Sequence, residues 1–463
     1  MRWSEMIHPA RMARVALVAP DDERLRTALV SVADAGTVEF EAVAGADEPS
    51  VEPRGRSSTA PARLSATPPD LDELDHAGLA DLLAGEAEVR RYAESAIRGE
   101  GVAALVGWCP ADEVGALRDR LSPEGAGIVP LPAPRGVDPP TLLRASSQLG
   151  RSFSPLVRTY GTVPYADIDP TLLAGIAYVV MFGMMFADAG HGLILLAAAF
   201  TLRAGWPKRL GRLRERWPFV AGAGLASTAF GVLLGEFFGP TGVVPVRWLD
   251  PLDQPVQLLA AGVALGGILL AGAYAVGVVN RWREGSLRFA LYAPSGIAGA
   301  ALFVGLAGLA AGVYSASGLL TLVGLVVAIA GLVLAGIGLF VASGGGAAGA
   351  TQTAVELFDL VIRLGANLVS FARLAAFGLT HAALAGLVWT ATAALWAGGG
   401  WSIGAAVLVF AVGNAIAFGL EALVAGVQAL RLEYYELFSR VFELEGRPFR
   451  PWHIPVMREE ATR

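Results

Sequence analysis

The sequence is poor in charged residues and in cysteine, and each shortage excludes a class of protein. Charged residues make up 16% of the chain, whereas ordinary soluble domains carry about a quarter. A single cysteine, Cys109, excludes an intrachain disulfide and argues against a cysteine-based metal site. The only lysine, Lys208, follows no glycine-rich loop, so the chain has no P-loop for ATP. We predict no bound cofactor, no metal ion and no nucleic-acid partner.

The charge deficit begins part-way along the chain. Residues 1–168 contain acids and bases throughout, whereas long apolar runs rich in glycine and alanine follow from 169 onward. This change predicts a small cytoplasmic α/β domain at 1–168, a transmembrane domain at 169–440 and a cytoplasmic C-terminal tail at 441–463. The apolar run near the N-terminus, about six residues, is shorter than the roughly 7–15 of a signal peptide, so we place the first domain in the cytoplasm.

Turn residues separate short apolar segments in the first domain, a pattern that predicts two β-α-β units joined by a helix. Pro, Ser, Thr and Gly are concentrated between the units at 44–70, which is typical of a linker. The predicted strands are 14–19, 37–43, 103–109 and 127–131, and the predicted helices are 21–35, 71–98 and 111–121.

Seven long apolar runs predict an α-helical membrane domain, and the first run decides how many times the chain crosses. Asp188 and His191 interrupt its middle, and the loop that follows, 203–216, is rich in basic residues. Because basic loops belong on the cytoplasmic side, we predict two short crossings with a turn near Asp188, and eight crossings in all. The alternative is a single kinked helix. The apolar runs are 171–204, 217–238, 256–279, 290–313, 318–342, 356–396 and 402–439.

The last two runs predict long, tilted and continuous helices of about 40 residues each. Arg373 lies deep in the first of them, with apolar residues on either side. A charge at that depth is costly and indicates a function. Since arginine keeps its proton, it suits a fixed positive charge better than a proton carrier.

The last run carries a polar stripe. Asn414, Glu421 and Gln428 are spaced by seven residues and therefore share one face of a helix, with Arg431 close to it. Such a stripe must face a partner or a water path, and with Arg373 it suits an ion path interrupted by a positive gate. Purely structural roles stay open for three of these residues. Glu421 would be a buried partner of an arginine, His381 a hydrogen-bonding residue of the bundle, and Arg373 a structural cation.

Several segments resemble the membrane subunit of V/A-type rotary ATPases, called subunit a or subunit I. SFARLAAFGLTHAALA resembles the stretch that holds the family's essential arginine, which falls on Arg373, and the histidine after it falls on His381. The family's acidic residue falls on Glu421 and its second arginine on Arg431. The other segments that carry the likeness are PLVRTYGTVPYADIDPT, FGMMFADAGHGLIL, EFFG, ALVGWCP, PPTLL and QALRLEYYELFSRVFELEGRPFRPW.

This resemblance implies a stator subunit, not catalytic by itself, that forms proton half-channels against a rotating ring of small hairpin subunits bearing carboxylates. Central-stalk and peripheral-stalk subunits and, indirectly, the catalytic ATPase subunits are the implied partners, in a multi-pass cell-membrane protein with both termini cytoplasmic. Proton translocation is expected to involve Arg373, Arg431, Glu421, His381, Gln428 and Asn414, and an outer structural turn Asp188, His191 and Glu236.

One departure from the family leaves competing functions open. The cytoplasmic part of the family is a long dumbbell, and residues 44–100 are too few for its rod, so we expect a shortened cytoplasmic domain. A reduced rotary enzyme, an orphan paralogue without transport and a standalone ion-coupled secondary transporter are the alternatives. The transporter predicts an internal repeat and a broken helix at the membrane midplane, and the sequence shows no convincing repeat.

Overall fold

The computed structural model divides the chain into two compact units. One consists of Met1–His8 with Ala145–Glu445, and the other of Pro9–Arg144 with Gly446–Arg463. We call them the membrane unit and the α/β unit. The structure describes residues 8–41, 69–76, 80–134, 137–144, 147–206, 208–285, 287–442 and 446–453.

The α/β unit contains an antiparallel sheet with the strand order β2–β4–β1–β5, and β3 pairs with β4. Each predicted β-α-β unit is present, but its two strands are not neighbours, because the two units interleave as in ferredoxin-like folds. The strands are β1 (Met12–Pro20), β2 (Glu39–Phe40), β3 (Ile97–Gly99), β4 (Val102–Pro110) and β5 (Gly127–Leu131). The helices are α1 (Glu23–Ala35), α2 (Leu71–His76), α3 (Ala80–Ser95) and α4 (Val114–Leu121).

The predicted small α/β region is confirmed, with two differences in its elements. The predicted strand 37–43 is reduced to β2 among the described residues, and the predicted helix 71–98 ends at Ser95. Most of the predicted linker, 44–68, lies outside the described residues.

Residues 446–453 complete the core of the α/β unit, a role that the sequence pattern does not reveal. Trp452 is buried, and its ring lies 5.7 Å from that of Phe40 and 4.7 Å from that of Tyr92. Its indole Nε1 donates to Glu88 at 2.7 Å, and its backbone N donates to the Val38 carbonyl at 2.7 Å. An aromatic side chain therefore fastens the C-terminal segment, because it buries a large apolar area and satisfies its polar atom.

The membrane unit contains long apolar helices, as predicted. Among the described residues, six helices are long and apolar enough to cross a membrane, and two shorter apolar helices precede them. The unit begins with α5 (Gln148–Tyr160), α6 (Thr171–Met185), α7 (Ala189–Ala204), a 3₁₀ segment (Lys208–Arg216) and α8 (Trp217–Leu234). It continues with α9 (Pro255–Glu284), α10 (Leu287–Tyr292), α11 (Ile297–Tyr314), α12 (Gly318–Ala342), α13 (Gly346–Ser370), α14 (Ala372–Ala397) and α15 (Trp401–Leu432). A π-helical turn (Glu433–Phe438) and α16 (Ser439–Val441) end it.

The chain reverses direction between α6 and α7, as the pattern of basic loops predicts. Both helices contact α8, but in opposite directions: contacts advance along α8 as the chain follows α6, and they retreat as it follows α7. The contacts that define this path are those of Val179 with Gly222, Ala189 with Gly231, and Leu196 with Gly224. A single kinked helix would continue in one direction, so this arrangement is a helical hairpin.

The helix predicted at 356–396 differs from the expectation in being longer and broken. It begins at Gly346, and Phe371 separates α13 from α14. Phe371 N bonds to the carbonyl of Leu368, and Leu374 N to that of Phe371, which is the tight i to i−3 pattern that marks hinges in helices. Gly266 of α9 makes room for the buried Phe371 ring, since a Cβ there would lie 2.1 Å from Phe371 Cγ. The break lies two residues before Arg373.

We expect Gly231→Ala to destabilise the hairpin. A Cβ at this position would lie 2.1 Å from Ala189 N and 2.5 Å from the carbonyl carbon of Asp188, so the backbone of the turn would have to shift. Overpacking of this kind costs about 1–3 kcal/mol. Denaturant titration of the purified chain in detergent measures the loss. Gly272→Ala is the control because a Cβ there meets nothing within 4 Å, and equal stability of the two variants would contradict the tight contact.

Candidate functional site

Polar residues of the membrane unit form two groups along α14 and α15. We call Asp188, His191, His381 and Glu421 the histidine cluster, and Ser370, Arg373 and Glu436 the arginine junction. Eight residues of helix separate Arg373 from His381, which corresponds to about 12 Å along the axis of α14. The two groups therefore lie at different depths of the same helix pair.

Asp188 organises the histidine cluster from the turn of the hairpin. Its side chain caps α7: Oδ1 accepts from the backbone N of His191 at 2.8 Å and from that of Phe238 at 3.1 Å. The second oxygen, Oδ2, accepts from the backbone N of Gly239 at 3.0 Å. Three backbone donors aimed at one carboxylate stabilise its charge in a buried place. The FADAGHG and EFFG segments, both part of the family resemblance, therefore meet at this carboxylate.

The segment that carries two of these donors is held in an unusual conformation. Phe238 has a φ of 51°, in the left-handed region that a residue with a side chain rarely adopts. Such a conformation costs on the order of 1–2 kcal/mol and persists where the surroundings impose it. Glu236, two residues earlier, is buried and binds the start of α7 through its backbone oxygen, which accepts from Ala189 N at 2.9 Å.

His381 joins the hairpin to α15. Its Nδ1 is hydrogen-bonded to Glu421 Oε2, and its Nε2 lies 3.6 Å from Asp188 Oδ2. The imidazole is 1% exposed, so a buried ring lies between two buried carboxylates. Removing one member of such a group leaves an uncompensated buried charge, which costs far more than the pair contributes.

His191 completes the cluster without hydrogen bonds of its own side chain. Both ring nitrogens are buried and find no hydrogen-bond partner among the residues that the structure describes. Nδ1 lies 3.9 Å from Asp188 Oδ1, and the ring centroid lies 5.7 Å from that of His381. Phe186, Phe238 and Phe418 surround the ring.

Arg373 is anchored at the arginine junction. Its Nη2 donates to Ser370 Oγ at 3.1 Å, and Ser370 in turn donates to Glu436 Oε1. Nη1 is buried and has no hydrogen-bond partner within the described part of the chain. Glu436 belongs to the π-helical turn, and π-helical turns occur frequently at functional sites.

The remaining predicted residues lie on α15, and one of them, Asn414, interacts with His191 of the histidine cluster. Asn414 is buried and donates to the carbonyl of Phe410 at 2.9 Å. Gln428 is half-buried, and its Oε1 has no partner among the described residues. Arg431 is exposed, and its charge acts on Glu436. The predicted stripe is therefore one face of α15, and two of its residues, Glu421 and Asn414, interact with His381 and His191, respectively.

Sequence reasoning missed the two acidic residues of the π-helical turn. Glu433 and Glu436 are both buried. Glu436 accepts the hydrogen bond of Ser370, the residue to which Arg373 is bonded. A signal was present: the two acids are three residues apart, directly after the apolar α15 and beside Arg431. Acids at that spacing share one helix face.

Comparison with known proteins shows which family and which relatives this chain is similar to. Residues 98–212 match the V-type ATPase 116kDa subunit family. A-type ATP synthase subunit I of Pyrococcus horikoshii is 27% identical over 391 residues, which cover 80% of this chain and 57% of the relative. Over residues 98–212 the chain is similar to the V-type ATPase 116kDa subunit family. Its predicted resemblance to subunit I is confirmed.

Two further relatives are similar to this chain over different lengths. Subunit I of the A-type ATP synthase of Aeropyrum pernix is 28% identical over 375 residues, which cover 71% of this chain and 52% of the relative. V-type ATP synthase subunit I 2 of Treponema pallidum is 34% identical over 119 residues, or 26% of this chain and 25% of the relative. The chain spans about half the length of the curated relatives it matches.

We expect His381→Ala and Glu421→Gln to lower the stability of the membrane unit non-additively. His381→Ala leaves two buried carboxylates without their shared partner, which costs about 3–5 kcal/mol. The double variant should lose less than the sum of the single losses, by about 0.5–3 kcal/mol. Denaturant titration in detergent measures all three, with Thr380→Ala, an exposed neighbour on α14, as control. Additive losses would show that the two side chains do not interact.

Proposed function

We propose that this chain is the membrane stator subunit of a V/A-type rotary ATPase, and that α14 and α15 form its proton half-channels. The observation that carries the proposal is Arg373: a permanently charged side chain at a helix break, anchored by one nitrogen to Ser370. Its other terminal nitrogen has no hydrogen-bond partner among the described residues. The similarity to the curated relatives named above supports the same function, because they are ATP synthase subunits.

Arg373 acts in this proposal as the gate between two proton paths. The partner is a ring of small hairpin subunits, each bearing a carboxylate that passes Arg373 as the ring turns. At about 6 Å and an effective dielectric constant near 20, the guanidinium attracts an ionised carboxylate by about 3 kcal/mol. This attraction favours release of the ring proton, and the fixed charge prevents protons from crossing directly between the two paths.

We assign residues of the histidine cluster and of the arginine junction to the two half-channels. The histidine cluster lies about 12 Å from Arg373 along α14 and reaches the turn of the hairpin, so we assign it to the outer half-channel. His381 and Glu421 are its proton-exchanging groups, with Asn414 on the same face of α15. Glu436 contacts Ser370 beside Arg373, and we assign it, with Arg431 and Gln428, to the cytoplasmic half-channel.

The topology of the proposal has eight crossings. The α6–α7 hairpin contributes two short ones, and the six long helices contribute the rest. This order puts the basic segment Lys208–Arg216 and both termini in the cytoplasm, in accord with the charge bias of membrane proteins. Central-stalk and peripheral-stalk subunits are the further partners in the assembly, and the cell membrane is the proposed location.

We expect Arg373→Ala to abolish ATP-driven proton pumping while the subunit still assembles. Loss of about 3 kcal/mol of attraction corresponds to a decrease of roughly a hundredfold in the rate of ring deprotonation. Quenching of a pH-sensitive dye in inverted vesicles measures pumping, and co-purification of the ring subunit measures assembly.

Arg363→Ala is the matched control for this experiment. Arg363 lies on α13, is exposed and pairs only with the neighbouring Asp359 at 2.6 Å among the described residues, so its loss should leave pumping unchanged. Unchanged pumping in the Arg373 variant would make that arginine structural and would rule out the gate. Failure of the unaltered chain to co-purify with any ring would instead favour a paralogue without transport.

A further inference from the structure

We propose that Asp188, His191 and His381 bind a single divalent transition-metal ion of the zinc class inside the membrane unit. Composition alone predicts no metal ion, because the chain has one cysteine and few histidines. The structure nevertheless brings two of the five histidines together with a carboxylate. The proposed site shares His381 with the proposed proton path, and binding of the ion can be measured without a pumping assay.

The spacing of the three ligand atoms fits one small ion. One atom of each residue lies within 4.8 Å of the other two. The measured distances are 3.6 Å from Asp188 Oδ2 to His381 Nε2 and 3.9 Å from Asp188 Oδ1 to His191 Nδ1. Zinc binds nitrogen and carboxylate oxygen at about 2.0–2.2 Å, so two ligands of a tetrahedral ion lie roughly 3.3 Å apart. Side-chain adjustments of less than about 1 Å close the gap for the two measured pairs.

His191 is the second, independent observation. Its side chain is 0% exposed, and neither ring nitrogen has a hydrogen-bond partner among the described residues. A neutral imidazole has one donor and one acceptor nitrogen, and leaving either buried without a partner costs about 1–3 kcal/mol. A metal ion bound at Nδ1 uses the acceptor. Phenylalanine rings surround the imidazole, and the Asn414 side chain also interacts with it without forming a well-aligned hydrogen bond within the described residues.

The neighbours of the ligands have the arrangement that metal sites use. The Nδ1 atom of His381 is hydrogen-bonded to Glu421, which leaves Nε2 directed towards Asp188. Histidines that bind zinc usually donate their other ring N–H to a carboxylate, a backbone carbonyl or water. Backbone N–H groups orient Asp188 in the same way, and the lone pair of Oδ2 not used by Gly239 remains for an ion. Two buried carboxylates also balance a double positive charge.

The ligand types select the class of ion. Two imidazoles and a carboxylate suit zinc and its substitute cobalt, whereas calcium and magnesium require mostly oxygen ligands. Three protein ligands leave the fourth position of a tetrahedral ion for water, as in zinc sites with an open position. Cys109 belongs to the α/β unit and takes no part.

The test is a cobalt and zinc titration of the purified full chain in detergent, free of affinity tags and stripped with a chelator. We expect one ion per chain, a visible absorption band of tetrahedral cobalt, and zinc affinity in the micromolar range or tighter. His191→Gln should weaken binding at least about a hundredfold, since it removes a ligand. Glu421→Gln should weaken it about 10–100-fold through His381.

His453→Gln is the matched control, because this histidine is exposed and lies in the α/β unit. Equal zinc affinity of the His191 and His453 variants would overturn the proposal, as would the absence of binding by the unaltered chain at about 100 µM zinc. X-ray absorption of the zinc-loaded, unaltered chain provides a check that does not depend on folding of a variant. Two imidazole ligands per zinc are expected, and fewer than two would also overturn the site.

Discussion

Burial of one negative charge determines how the membrane unit is assembled. Asp188 is fully buried, and an ion in such a place is tolerated only when donors and opposite charges surround it. Its partners come from three separate parts of the chain: the first turn of α7, the segment at Phe238 and Gly239, and His381 of α14. Through His381 the network extends to Glu421 on α15. One carboxylate thus fixes the turn of the hairpin against the pair of helices that carries the function.

Glycine makes this network geometrically possible. Apolar helices gain little from burying one another within lipid, so they associate through close backbone contact at small residues. Gly231 of α8 lies against the backbone of Asp188 and Ala189, and Gly266 of α9 receives the Phe371 ring beside Arg373. Each polar group therefore has a glycine contact immediately behind it, and the positions of the charged side chains follow from backbone distances that larger residues would not allow.

Local patterns predicted the elements, whereas contacts distant in sequence determined the site. The basic loop 203–216 predicted the hairpin, and the seven-residue spacing placed Asn414 and Glu421 on one buried face. Periodicity carries no information on a bond between Asp188 and Gly239, 51 residues apart, or between Ser370 and Glu436, 66 residues apart. The break at Phe371 also escaped prediction, because it arises from contact with α9 and contains neither proline nor glycine.

The histidine cluster and the arginine junction differ in how their charges are compensated. This difference indicates a fixed partner for the histidine cluster and a moving partner for the arginine junction. In the histidine cluster His381 lies between two carboxylates in a place closed to solvent, which suits a proton or a resident ion. At the arginine junction Glu436 reaches Arg373 only through Ser370, and one guanidinium nitrogen remains without a partner among the described residues. A cation compensated at a distance retains attraction for a carboxylate that arrives and departs. About two turns of α14 therefore separate the charges that are compensated in place, in the histidine cluster, from the charge of Arg373, which acts on a partner.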